Sequence, residues 1–224
     1  MPLFGAHTSI AGGLHNALLT AQRGGMDTVQ LFVSPPKNWP VTPRPAGRAG
    51  RSQSRSSSPW DARELPDEEV QLFRRTLRES GLRFPTAHDS YLINLASPDE
   101  ALYRRSLEAF VVELQRAERL GLSFLVMHPG AATDGDEEAG LARVAGALDE
   151  VHRRCPDYHV RVLLETTAGQ GRALGYRFEH LARILELAAE PERLGVCLDT
   201  CHVFAAGYPL APEPEYRATM HAFD

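Results

Sequence analysis

Residues 124–165, FLVMHPGAATDGDEEAGLARVAGALDEVHRRCPDYHVRVLLE, contain a complete strand–helix–strand unit. The apolar run Phe124–Met127 predicts a buried strand, Glu137–Arg154 predicts an amphipathic helix, and Val160–Leu164 predicts the next strand. A helix between two short apolar strands is typical of parallel pairing. This stretch therefore favours an α/β fold, with a parallel sheet and helices outside it.

The same alternation continues on both sides of this unit. Four more apolar runs predict strands, and four more amphipathic stretches predict helices. The predicted strands are Leu3–Ala6, Thr28–Val33, Arg83–Ala87 and Leu194–Leu198, and the predicted helices are Leu14–Arg23, Pro66–Glu79, Pro98–Leu120 and Arg177–Ala189. Ser97 is the predicted N-cap of the third helix, with Pro98 in its first turn.

Chain length distinguishes an open sheet from a barrel. An eight-unit TIM barrel takes roughly 250 residues, and six such units with one insertion come to about 206. The chain has 224 residues, and no Gly-rich phosphate-binding motif follows the first strand. We therefore expect a single domain, residues 1–224, of the TIM (β/α)8-barrel family, with about six of the eight strand–helix units.

Residues 40–59, PVTPRPAGRAGRSQSRSSSP, differ in composition from the rest of the chain. They are rich in Pro, Gly, Ser and Arg and have no hydrophobic period, which predicts a flexible insertion at about 40–65. Two interpretations stay open. The insertion is either a solvated surface loop or a basic segment that contacts a phosphate backbone through its arginines.

Composition limits the class of protein. The chain is 43% hydrophobic and 24% charged, with a net charge of -5, which argues against coating of nucleic acid by bulk charge. No 18-residue apolar run and no signal peptide are evident, and three cysteines cannot form a disulfide framework. We expect a cytoplasmic protein with no membrane partner.

Imidazole and carboxylate groups follow four consecutive predicted strands. His88 and His128 follow the third and fourth strands, Glu165 ends the fifth, and Asp199 ends the sixth with His202 behind it. Parallel barrel strands open their carboxyl ends on one face, so these groups converge there. This donor set predicts a zinc- or manganese-type metal site. Each residue taken alone has a simpler interpretation, as a hydrogen-bonded histidine or as a helix-capping acid.

Five further histidines and Cys201 are interpreted as structural. The histidines lie in predicted helices or turns and are expected on the surface or in the core: His15, His152, His159, His180 and His221. Cys201 is expected to be a small buried residue, because no third group orients a cysteine–histidine pair at this spacing.

Long motifs occur in order along the chain, at Gly5–His7, His88–Leu95, His128–Gly130, Glu165–Gly171 and Asp199–His202. They resemble the motifs of endonuclease IV, the zinc-dependent apurinic/apyrimidinic endonuclease family (AP endonuclease family 2) of DNA base-excision repair. The resemblance covers the chain apart from residues 40 to 65.

This resemblance implies a (β/α)8 barrel with three zinc ions. His88 and His128 would hold the first zinc, and Glu165, the catalytic carboxylate, would bridge it to the second. Asp199 would bind the second zinc and His202 the third. The implied reaction hydrolyses the phosphodiester on the 5′ side of an abasic site and leaves a 3′-hydroxyl and a 5′-deoxyribose phosphate.

The resemblance also implies contacts with double-stranded DNA that contains abasic sites. Tyr91 and Leu92 would form an apolar wedge at the lesion, although Tyr91 as a core aromatic is the alternative. Lys37 and Asn38 stand where the family commonly has Arg-Gln in a DNA-contacting loop. The family protein is expected to be a monomer when complete, in the bacterial cytoplasm and associated with the nucleoid through its substrate.

The family continues beyond the position of Asp224 with two more strands that carry further zinc ligands. We therefore expect a C-terminally truncated chain that binds about one zinc at most and does not incise DNA by itself. Two other functions stay open. One is a metal-dependent sugar isomerase or epimerase of the same barrel type, and the other is a non-catalytic lesion-binding remnant.

Overall fold

A computed structural model of the chain describes residues 1–34, 39–40, 61–62 and 65–224. Lys37 and Asn38 lie outside the described residues, as does most of the predicted insertion at 40–65. The predictions for that insertion, including its contact with phosphates, therefore stay predictions.

Six parallel strands form the main sheet, and they lie side by side in chain order. They are β1 (Gly5–His7), β2 (Thr28–Phe32), β5 (Thr86–His88), β6 (Phe124–Met127), β7 (Arg161–Glu165) and β8 (Leu194–Cys197). Two further short strands, β3 (Trp39–Pro40) and β4 (Asp61–Ala62), pair with each other in parallel. This sequential parallel order confirms the predicted partial α/β barrel.

Helices connect the strands in the expected alternation. They are α1 (His15–Arg23), α2 (Asp67–Ser80), α3 (Glu100–Leu120), α4 (Glu137–Arg154), α5 (Phe178–Leu187), α6 (Thr200–Ala205) and α7 (Glu213–Phe223). The five predicted helices are all present, with ends within two residues of those predicted, whereas α6 and α7 are additional. None of the described helices is long and apolar enough to cross a membrane.

The predicted N-cap of α3 is wrong by two residues. Asp99 is the N-cap, and its carboxylate accepts a hydrogen bond of 2.8 Å from the N–H of Leu102. Ser97 instead accepts the N–H of Asp99 at 3.2 Å and so stabilises the turn before the helix. Ser and Asp side chains can both accept hydrogen bonds from the free N–H groups at a helix start. The conformation of the preceding loop decides that Asp99, and not Ser97, reaches those of α3.

Apolar residues fill the layer between the helices and the sheet. Leu31, Leu125 and Leu164 on the strands and Phe110 and Leu148 on the helices are fully buried. Burial of this apolar layer is the main favourable term in folding. It leaves the carboxyl ends of the strands at one common edge, where the predicted ligands lie.

Candidate metal centre

The predicted ligands converge because their strands are parallel. His88 is the last residue of β5, His128 directly follows β6, and Glu165 is the last residue of β7. Nε2 of His88 lies 3.0 Å from Oε2 of Glu165, and Nε2 of His128 lies 3.2 Å from the same oxygen. Both histidines thus meet at one oxygen of a buried carboxylate.

Glu165 belongs to two groups of potential ligands. The first contains His88 and His128, and the second contains Asp199 and His202. In each group, the ligand atoms lie within 4.8 Å of one another. All five predicted ligands therefore lie together, and their assignment to particular metal ions stays a prediction.

Asp199 combines the two interpretations that the sequence left open. Strand β8 ends at Cys197, so the prediction that Asp199 ends the strand is wrong, and Asp199 is the N-cap of α6. Its Oδ1 accepts the N–H of His202 at 2.8 Å, whereas its Oδ2 lies 3.8 Å from Nδ1 of the same residue. One carboxylate oxygen caps the helix and the other faces the ligand group.

Backbone carbonyls orient the ligand rings. Nδ1 of His88 donates to the carbonyl of Asp89 at 2.9 Å, and Nδ1 of His202 donates to the carbonyl of Thr166 at 2.8 Å, because a carbonyl can only accept. Nε2 of His88 then faces Oε2 of Glu165 at 3.0 Å, where a metal would bind. In His202, Nδ1 itself faces Glu165 and Asp199, at 3.6 and 3.8 Å. A histidine ligand whose other nitrogen donates to a carbonyl is the usual arrangement at metal sites.

The charge states of His88 and Glu165 reflect their mutual contact. Burial raises the pKa of Glu165, but its hydrogen bonds to His128 and His88 outweigh burial and lower the pKa to about 2. Burial lowers the pKa of His88, but the hydrogen bond to Glu165 outweighs it, so the pKa of His88 is raised. The carboxylate is thus charged and attracts positive charge to Nε2, where a divalent cation would replace the proton. The imidazole and carboxylate donors fit zinc or manganese.

The two cysteines near the ligands differ in exposure. Cys201 is exposed on α6, so the prediction that it is buried is wrong, because this side of the short helix faces solvent. Burial, followed by the charges of Glu165 and Asp199, raises the pKa of Cys197 to about 12. The Cys197 thiol is therefore protonated and unreactive at neutral pH.

Hydrogen bonds connect the loops that follow neighbouring strands. The side-chain oxygen of Asn94, in the β5 loop, accepts the N–H of Ala131 in the β6 loop at 2.9 Å. The carbonyl of Gly130 accepts the N–H of Leu174 in the β7 loop at 2.7 Å. Thr166 Oγ1 accepts the N–H of Asp199 at 2.8 Å. The loops that follow the ligand-bearing strands are therefore held in place by hydrogen bonds to one another.

Aromatic rings and a cavity lie beside the ligands. Tyr91 is 59% exposed, which argues against its interpretation as a core aromatic, and its ring lies 5.5 Å from the ring of His88. The adjacent cavity of about 350 Å³ is lined in part by Tyr91, His128, Gln170 and His202. The predicted wedge residue Leu92 is half-buried next to Tyr91.

Two residues extend this aromatic surface: Phe32, which the sequence analysis missed, and His7, which it placed in the Gly5–His7 motif without a role. The ring of Phe32 lies 5.4 Å from Tyr91, and the ring of His7 lies 4.5 Å from Phe32. His7 and Phe32 are the last residues of β1 and β2. The strand-end rule that identified the ligands would also have identified them.

Comparison with known proteins identifies the family. Residues 20–224 match the family of xylose isomerase-like TIM barrels. The chain is 43% identical over 224 residues to a probable endonuclease 4 of Citrifermentans bemidjiense, of which it covers 72%. It is 42% identical over 224 residues to a probable endonuclease 4 of Chloroflexus aurantiacus, of which it covers 71%. The chain belongs to the endonuclease IV family.

Solved structures agree with this assignment. Endonuclease IV from Thermus thermophilus superimposes with a TM-score of 0.77 at 31% sequence identity, over 100% of this chain and 71% of that one. A D-tagatose 3-epimerase-like protein superimposes with a TM-score of 0.64 at 19% identity, over 93% of this chain and 68% of that one. The second likeness shows the fold alone. Within the endonuclease IV family, the ligand cluster at the strand ends is the natural candidate for the active site.

Proposed function

We propose that the protein is a zinc-dependent endonuclease of DNA base-excision repair. It hydrolyses the phosphodiester on the 5′ side of an abasic site and leaves a 3′-hydroxyl and a 5′-deoxyribose phosphate. The observation that carries this proposal is the position of Glu165 within two groups of metal-type ligands. Membership of the endonuclease IV family supports it.

In this proposal, His88, His128 and Glu165 hold the first zinc. Glu165 also belongs to the second site, with Asp199, and His202 belongs to the third. When bound, zinc lowers the pKa of water and stabilises negative charge on the phosphodiester oxygens. Glu165 is assigned as the catalytic carboxylate because both groups of ligands share it, and the two histidines keep it charged by lowering its pKa to about 2.

The residues around the cluster would recognise the lesion. Tyr91, exposed beside the cavity, and Leu92 would fill the space of the missing base in double-stranded DNA. An abasic nucleotide costs less to extrude than a stacked base, which itself favours the damaged site. Lys37 and Asn38, outside the described residues, would contact the DNA backbone.

Zinc content and incision test the proposal together. The chain covers 72% of its Citrifermentans bemidjiense relative, so two proteins are compared: the 224-residue chain, and the same chain continued into the unmatched part of that relative. We expect about one zinc at most and no incision for the first, because the proposed second and third zinc sites would have few protein donors in that chain. We expect more zinc and incision for the second.

The assay uses a duplex with one abasic site, in buffer without EDTA and without magnesium, and mass spectrometry identifies the product ends. Glu165→Gln in the extended protein is the control that removes the shared charge. Epimerisation of an aldose or ketose sugar without incision would contradict the proposal and favour a sugar epimerase. Binding of the abasic duplex without incision in the extended protein would favour a lesion-binding remnant.

A further inference from the structure

His180 on α5 is a buried histidine outside the metal centre. Its side chain is 3% exposed. The N–H of Gly175 points at Nδ1 over 3.1 Å. Nε2 lies 3.4 Å from Oε2 of Glu137, and Nε and Nη2 of Arg177, which can only donate, point at it over 3.1 and 3.0 Å. The ring therefore connects the start of α4 with the segment that precedes α5.

The surroundings of the ring determine which nitrogen carries the proton. A neutral imidazole has one N–H and one acceptor nitrogen. Arg177 is exposed and has a second partner in Glu137, at 2.7 Å, whereas the backbone N–H of Gly175 is buried. A buried N–H without an acceptor costs about 1–3 kcal/mol. Both ring nitrogens face N–H donors, and a neutral ring accepts at only one of them. The favoured ring accepts from Gly175 at Nδ1 and carries its proton on Nε2, which faces Glu137, while the exposed guanidinium of Arg177 turns towards Glu137.

Gly175 occupies a position that other residues cannot easily take. Its φ is +91°, and a Cβ there would lie 3.1 Å from the carbonyl oxygen of Glu165 and 3.1 Å from Cγ of Pro129. The backbone at Gly175 thus passes close to the backbone carbonyl of Glu165, the residue that carries the metal-centre carboxylate. Any displacement of this backbone would change its close contacts with β7 and with the β6 loop.

Gly175 also closes the loop that follows β7. Its carbonyl accepts the N–H of Thr167 at 3.0 Å, and the neighbouring Leu174 carbonyl accepts Oγ1 of Thr167 at 2.8 Å. These bonds join the two ends of the β7 loop, which we define as residues 166–175. Residues 167–170 of this loop line the cavity beside His128 and His202. Holding Gly175 therefore holds one wall of that cavity.

We propose that His180 is a positioning residue, whose neutral ring fixes the β7 loop through Gly175 and so forms the wall of the cavity that receives the abasic nucleotide. The role of the cavity rests on the proposed function, whereas the hydrogen bond and its effect on the loop do not. Burial and the charge of Arg177 lower the pKa of His180, although Glu137 acts in the opposite direction. The neutral form is therefore the one present at pH 7.

Two substitutions separate the hydrogen bond from packing. His180→Asn keeps an acceptor close to the position of Nδ1, and His180→Leu removes it while remaining apolar and bulky. His152 is the matched control, since it is 1% exposed on α4 and its Nδ1 has no hydrogen-bond partner among the described residues. His152→Leu therefore changes a buried histidine without touching the β7 loop.

Nuclear magnetic resonance of the 224-residue chain provides the direct measurement. In the wild type, we expect the ring proton of His180 on Nε2. Loss of one hydrogen bond should raise the exchange rate of the Gly175 amide about tenfold in His180→Leu. The exchange rate should stay within about twofold of wild type in the other two variants. His180→Asn keeps an acceptor for the Gly175 amide, and His152→Leu lies away from that hydrogen bond.

A gel-shift assay with a duplex that contains a tetrahydrofuran abasic analogue provides the functional measurement, at equal zinc content. Of the three variants, we expect only His180→Leu to bind the duplex more weakly than wild type.

A ring proton on Nδ1, unchanged exchange in His180→Leu, or equal effects of the Asn and Leu substitutions would overturn the inference. The gel-shift assay uses the extended protein: if its wild type does not bind the duplex, the proposed function fails, and the exchange data still decide the role of His180. If His180→Leu does not fold, the ring proton and His180→Asn decide it.

Discussion

Glu165 and His88 show how single side chains set the charge of the metal centre. Each is buried, and burial alone would favour the neutral form of both. Their contact of 3.0 Å reverses this preference and stabilises the charged pair. The pair is thus prepared for a cation, since the carboxylate is ionised before any metal arrives.

The metal-free chain should therefore show a characteristic pH dependence of stability. The pKa of His88 is raised above 6.5. Its contribution to the free energy of unfolding is therefore fully present below pH 6.5 and is lost as the pH rises through the raised pKa. The pKa of Glu165 is lowered from 4.5 to about 2, so its contribution is present above pH 4.5 and is lost as the pH falls towards 2. Both residues therefore stabilise the folded chain between about pH 4.5 and 6.5, and stability should be highest there.

Urea unfolding in chelator-treated buffer at several pH values measures this window. Glu165→Gln should flatten the profile, because it removes the charge on which both shifts depend. Identical pH profiles for the wild type and Glu165→Gln would refute the prediction.

The exposed ring of Tyr91 leads to a second prediction at this scale. The double substitution Tyr91→Ala and Leu92→Ala should reduce the preference for abasic over intact duplex by about 1–3 kcal/mol per residue, the usual magnitude of such stacking contacts. Zinc content should not change, since neither side chain belongs to a ligand group. Competition gel shifts measure the preference. Tyr216→Ala, an exposed tyrosine on α7, is the control, and an unaltered preference in the double variant would show that the pair has no wedge function.

At the scale of elements, α6 has as its N-cap Asp199, which also faces the metal centre. The helix has only six residues, so its N-cap contributes a large share of its local stability. The Asp199 cap places His202, three residues later, beside Glu165. The Asp199 carboxylate thereby both caps α6 and positions the ligand His202.

Substitutions at Asp199 should separate capping from ligation. Asp199→Asn keeps an acceptor for the N–H of His202 and should change the free energy of unfolding little, whereas Asp199→Ala should cost about 1 kcal/mol. Both should weaken metal binding at the second group, because both remove the negative charge. Asp99→Ala, at the α3 cap, should cost about 1 kcal/mol without any effect on metal. Calorimetric metal titration of the extended protein and urea unfolding measure the two effects, and unchanged metal binding in Asp199→Asn would restrict Asp199 to capping.

At the scale of the whole molecule, the described sheet has two edges. Strands β1 and β8 each pair with a single neighbour among the described strands. Open edges present free N–H and C=O groups, which promote association with other chains. In the complete barrels of this fold, closure removes such edges.

The 224-residue chain should therefore self-associate in solution. Ala6→Lys places a charge on the exposed strand β1 and should raise the monomer fraction, because edge charges oppose strand pairing. Thr20→Lys adds the same charge on the exposed side of α1 and should have little effect. Sedimentation velocity at several concentrations measures the monomer fraction. A purely monomeric wild type, or equal effects of the two lysines, would contradict an edge mechanism.

The amino-acid sequence by itself determined the order of elements and the residues at the strand ends. Phe124–Met127 and Glu137–Arg154 occur as predicted, because hydrophobic period and charged helix starts are local properties of the chain. The convergence of His88, His128 and Glu165 followed from one rule, that parallel strands share an edge. Short elements such as α6 had no clear period and were therefore not predicted.

Tertiary structure alone decided how these groups meet. The contact between His88 and Glu165 joins residues 77 positions apart, and Asn94 reaches Ala131 over 37 positions. The sequence could describe His180 only as a surface or core residue. Its partners Gly175 and Glu137 become apparent once α4 and α5 pack together, because hydrogen-bond direction and burial depend on distances that local sequence patterns do not contain.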